Sequence, residues 1–84
     1  MLMNNKSKKQ FSTPDFYIAS FCVAKGLKLA GVERENPRRI LFVFDDTEDR
    51  EGLIEDFLFG RTTVEPKAFV TAIKELKQLL HSNP

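Results

Sequence analysis

The chain has 84 residues, 42% of them hydrophobic and 30% charged, with a formal net charge of +1. That length holds one domain and excludes two. Eight Phe and many aliphatics exclude disorder of the whole chain, yet a domain this small buries only about 60% of its unfolded surface.

Residues 1–10 are polar, rich in Lys and Asn, and read as a flexible basic tail. Residues 11–82 read as the domain. Thr13-Pro14-Asp15 is a helix start, with Thr13 as the cap and Pro14 at the first helical position. The helix is expected to run to about Lys25, with Gly26 as its stop. Its body, Phe16 to Ala24, is apolar almost all round, which predicts burial on most sides.

Lys28 to Arg34 is moderately strand-like, Glu35-Asn36-Pro37 is a turn signal, and Arg39 to Phe44 is a strong strand. These make a β-hairpin. Ile40, Phe42 and Phe44 point to one face, Leu41 and Val43 to the other, so both faces call for cover. An isolated hairpin is marginal in water. Three helices cover it, or the sheet continues into a second subunit.

Asp45 to Glu51 opens a second helix, capped by Asp46 or Thr47 and ended by Gly60. Glu65-Pro66 starts a third, whose apolar stripe is Phe69, Ala72, Ile73, Leu76, Leu79 and Leu80. The expected fold class is α+β, in the order α-β-β-α-α, with the hairpin packed against three helices.

One set of motifs keeps a distinctive order. It runs Phe11-Ser12-Thr13-Pro14-Asp15-Phe16-Tyr17, Ala24-Lys25-Gly26, Asn36-Pro37-Arg38-Arg39-Ile40, then Pro66-Lys67-Ala68-Phe69 before a Leu-rich helix. This resembles a family of short bacterial and phage-encoded proteins catalogued as a domain of unknown function. The resemblance covers about residues 11–82. It implies a compact prokaryotic or phage domain and carries no catalytic residues over.

The chemistry-bearing residues are few. Cys22 and His81 are the sole Cys and His, so there is no internal disulfide and no ligand set for structural zinc. Cys22 lies in the most apolar helix and reads as a core residue. His81 lies near the chain end, where it suits a helix C-terminus. The four glycines are too widely spaced for a phosphate-cradling loop. Asp45, Asp46, Glu48, Asp49, Glu51, Glu55 and Asp56 form an acidic run. It lacks the calcium-loop pattern and reads chiefly as a solvated helix start. No metal, cofactor or small-molecule substrate is expected, and no enzymatic activity.

The near-neutral total hides a strong segregation. Residues 1–44 carry a net +5, residues 45–65 a net −6 and residues 66–84 a net +2. Lys6, Lys8 and Lys9 in the tail, with Lys28, Arg34, Arg38 and Arg39 around the hairpin, are candidate phosphate or nucleic-acid contacts. Phe16, Tyr17, Phe21, Leu41 and Val43 are candidate interface residues, because they belong to the two segments that look buried on more than one side.

The leading expectation is a non-enzymatic, self-associating interaction or accessory module of bacterial, phage or mobile-element origin. The alternative is a small nucleic-acid-binding protein that grips phosphates through its tail and hairpin. Neither a secretory signal nor a membrane span is visible, so the expected location is the cytoplasm.

Overall fold

A computed structural model describes residues 9–82. Its elements in chain order are β1 (Gln10–Thr13), α1 (Phe16–Ala24), β2 (Leu29–Asn36), β3 (Arg39–Asp45), α2 (Arg50–Leu58) and α3 (Pro66–Ser82). The α+β class holds, and the expected order holds from α1 onward. The sheet differs: it has three antiparallel strands in the order β1-β3-β2.

The extra strand comes from residues expected to be tail and helix cap. Phe11 pairs with Phe44 and Thr13 with Phe42. Both therefore face the core, while Gln10 and Ser12 face away. The Phe11 and Phe44 rings stack with centroids 5.3 Å apart. Thr13 is thus a buried strand residue and not the helix cap. The capping role passes to Asp15, whose Oδ1 accepts from the Tyr17 and Ile18 amides at 2.8 and 3.0 Å. Lys9 and Gln10 lie outside the expected tail: Gln10 is in β1, and the Lys9 carbonyl accepts from the Asp46 amide. The rest of that tail, residues 1–8, lies outside the described residues.

The hairpin closes on a two-residue turn. The Asn36 side chain accepts from the Arg38 amide at 2.8 Å, the local bond for which Asn is favoured in turns. β2 pairs with β3 through two register shifts, between Leu29 and Gly31 and between Arg34 and Asn36. Its outer edge has no partner strand among the described residues. Bulges and charges such as those of Glu33 and Arg34 blunt such edges against chance pairing.

Ala19, Cys22, Phe42, Phe44 and Leu76 form the core, so α1 and α3 lie on the same face of the sheet. α1 is the middle of the molecule. It touches α2, α3 and β1, and its Ala19, Ser20, Phe21 and Cys22 are buried. That accounts for the apolar middle of the helix; Tyr17 at its start remains exposed. Phe21 stacks on Phe57 of α2 at 4.7 Å and is fully buried, so it is a core residue and not an interface residue. Leu41 and Val43 sit on the far face of the central strand. They are 9% and 8% exposed, flanked by Ser12, Gly31 and Glu33, and offer little surface to a partner.

Two glycines set the helix ends. After α1, Gly26 has φ +95°, and the Gly26 and Leu27 amides donate back to the Val23 and Cys22 carbonyls. After α2, Gly60 has φ +69°, and the Gly60 and Arg61 amides donate to Phe57 and Asp56. Both are Schellman stops, which need a left-handed residue. The start of α2 is later than expected, at Arg50. The Asp46 carboxylate does not cap it: Asp49 is at the cap position, and Asp46 accepts instead from the Thr47 amide at 2.9 Å and from Arg50 Nε and Nη2 at 3.0 and 3.1 Å. Glu65 caps α3, accepting from the Lys67 and Ala68 amides at 3.1 and 2.7 Å.

Burial pushes the Cys22 thiol up to about 11, against the weaker opposing pull of Arg50. The thiolate is the reactive form, so the folded protein is expected to resist alkylation at neutral pH. It should react as soon as denaturant unfolds it. Rapid labelling of the native chain, followed by mass spectrometry, would contradict this.

Candidate functional site

Three parts of the chain meet at the turn end of the sheet. Pro14 and Phe16 come from the link between β1 and α1 and the start of that helix. Arg38, Arg39, Ile40 and Phe42 come from the turn and β3, and Leu80 from the last turns of α3. Together they line an open groove of about 350 Å³. That is near the lower end of small-molecule pockets, with room for one or two side chains.

The groove has an apolar floor and a cationic rim. Phe16 meets Phe42 edge-on at 6.0 Å and Tyr17 edge-on at 5.6 Å. Tyr17 is 60% exposed and extends the apolar surface outward. Arg39 pairs with Glu35 at 2.7 Å, an exposed contact of little energetic weight. Arg38 makes no ion pair among the described residues. None of the lining side chains is a nucleophile or a general base. The arrangement can hold an apolar, acidic segment, with an aromatic floor and a guanidinium fork on the rim.

A second surface lies at the end of α2. Leu58 and Phe59 are 63% and 67% exposed. Their neighbours across a shallow depression are Ile54, Glu51, Glu55 and Arg50. The Schellman stop fixes the backbone here. The Arg61 guanidinium lies 5.2 Å from the centre of the Phe59 ring and pairs with Glu55 and Asp56 at 3.5 and 3.3 Å. Phe59 is therefore in solvent, next to a left-handed helix stop and against the Arg61 guanidinium.

The acidic run is partly structural. Asp46 binds Arg50 through both carboxylate oxygens. This hydrogen bonding holds its carboxyl below the usual range, assisted by the Thr47 amide and opposed by desolvation. Arg50 also sits 4.9 Å over the Phe11 ring, which ties the run to β1. Among the described residues, no three His, Cys, Asp or Glu side chains are grouped to hold a metal ion. Nor is any helix among them long and apolar enough to cross a membrane.

The basic candidates split between the two ends of the sheet. Arg34, Arg38 and Arg39 are at the turn end. Lys28 is at the other end, where its carbonyl accepts from the Asp45 amide, and Lys9 faces Asp46, Thr47 and Glu48 there. The seven-residue β3 separates the ends by roughly 20 Å. Lys6 and Lys8 lie outside the described residues. Of the interface candidates, Phe16 lines the groove and Tyr17 touches the Phe16 ring from outside the lining. Sequence reasoning did not single out Pro14, Ile40 and Leu80 on its wall, nor Leu58 and Phe59 on the α2 tip.

A family model described as a domain of unknown function, DUF5659, matches residues 8–82. The chain belongs to that family. No curated protein and no solved structure matches it. The DUF5659 match takes in every element from β1 to α3, so the first strand is part of the family's domain.

Proposed function

We propose that this domain is a non-enzymatic interaction module that self-associates, an accessory factor in the cytoplasm of a bacterial, phage or mobile-element system. The observation that supports it is the pair Leu58 and Phe59, each more than 60% exposed, on a tip fixed by a Schellman stop. Aromatic side chains are the usual anchors of protein interfaces. An anchor already held in place loses little entropy on binding. Sedimentation of the chain from low to high micromolar concentration tests the reading. A mass that climbs from one chain towards two or more is expected. A strict monomer throughout, with no protein captured from a lysate, would contradict it.

The gathering of Arg34, Arg38 and Arg39 at one end of the hairpin favours a second reading, phosphate contact with nucleic acid. It expects a mobility shift on DNA or RNA at low salt, lost when Arg38 and Arg39 are both replaced by Glu. No shift at low salt would end it.

A further inference from the structure

Self-association needs two surfaces that fit, and the molecule carries two of opposite character. The groove at the turn is apolar inside, with Phe16, Ile40 and Leu80, and cationic at the rim, with Arg38 and Arg39. The α2 tip carries the exposed Leu58 and Phe59, and Glu55 and, from the first turn of the helix, Glu51 line the same depression. Glu51 makes no ion pair among the described residues, and neither does Arg38. The residues around the tip belong to the −6 segment, whereas the charges lining the groove are Arg38 and Arg39 alone.

The two surfaces are kept from meeting within one chain. The groove is at the turn end of β3, while α2 departs from the opposite end, where Arg50 is bound to Asp46. The Phe21–Phe57 stack then pins α2 against α1. A second copy can supply what the first cannot.

We propose that the α2 tip of one copy docks in the turn groove of another. Phe59 and Leu58 enter between Phe16, Ile40 and Leu80, and Glu51 and Glu55 meet Arg38 and Arg39. The contact joins two different patches. It closes as a dimer when a two-fold axis lets it form twice, and extends into a chain when it forms once per copy. This inference rests on the self-association proposed above and adds which surfaces carry it. The alternative surface, the outer edge of β2, is interrupted by two register shifts and lined by Glu33 and Arg34.

Charge reversal tests it. One variant carries Arg38→Glu and Arg39→Glu, the other Glu51→Lys and Glu55→Lys. All four residues are exposed, and unchanged far-UV circular dichroism checks that both variants fold. Each variant alone faces like charge with like charge, so its self-association is expected to weaken by about tenfold or more. Mixing the two gives both contacts opposite charges again, and association should return as a one-to-one complex. Phe59→Ser, which leaves the charges alone, should weaken association as well.

Reversal variants that associate like the wild type overturn the inference and leave the self-association reading standing. So does a mixture that stays dissociated. A wild-type chain that never self-associates overturns both.

Discussion

Replacing Phe44 with Ala is expected to destabilise the domain by about 3–5 kcal/mol, the usual cost of emptying a buried aromatic site. Phe44 is fully buried in the central strand, stacked on Phe11 and packed in the cluster with Ala19, Cys22, Phe42 and Leu76. A chain of 84 residues has a total stability of roughly 4–12 kcal/mol. The variant should therefore be largely unfolded at body temperature, or shifted far down in its urea midpoint. Phe59→Ser is the internal contrast. Its side chain is mostly in solvent, so its stability should change by about 0.5 kcal/mol or less. A Phe44→Ala protein with a wild-type urea midpoint would show that the core is misplaced.

Removing β1 is expected to be as severe. A chain that begins at Pro14 loses the buried Thr13 and the Phe11 ring, which stacks on Phe44 and lies under the Arg50 guanidinium. It also turns β3 from a central strand into an edge, with a row of unpaired amides and carbonyls. The remaining two-stranded sheet is marginal by itself. Circular dichroism during heating should show no cooperative transition, and aggregation is expected. A truncated chain that melts like the full one would mean that β1 contributes nothing to the fold.

The fate of β1 shows where the sequence was legible and where it was not. α3 has a long stripe at helical spacing, and Glu65-Pro66 marks its start, so local signals suffice. Gly26 and Gly60 end α1 and α2 where expected, because a left-handed stop is a local demand. β1 has four residues, too few for alternation to stand out, and its pairing partners are in β3, beyond α1 and β2. Thr13-Pro14-Asp15 also carries two helix-start signals, and Asp15 proved to be the one used. Similarly, Asp46 looked like a cap for α2, but the helix begins four residues later, at Arg50, whose guanidinium Asp46 binds.

The same contrast holds for the site. Arg38 and Arg39 are visible in the sequence as a basic turn, and Phe16 and Tyr17 as interface candidates from a helix that looks buried on more than one side. Their apolar floor is assembled from β3, α1 and α3, and no local pattern foretells it. Burial of Phe21 had the opposite outcome. The middle of the apolar helix that suggested a second subunit, Ala19 to Cys22, is buried within the chain, because α1 sits among β1, α2 and α3, while Tyr17 stays exposed. The large apolar residues left exposed on α2 are ones that a periodicity reading treats as ordinary, Leu58 at its last position and Phe59 at its cap.

The most direct test of the central claim is to record amide resonances of an isotope-labelled wild-type chain along a dilution series. Resonances of Arg38, Arg39 and Ile40 should move together with those of Leu58, Phe59 and Gly60, along one concentration midpoint. Spectra that do not change with concentration, or changes confined to the β2 edge from Leu29 to Asn36, would contradict the account.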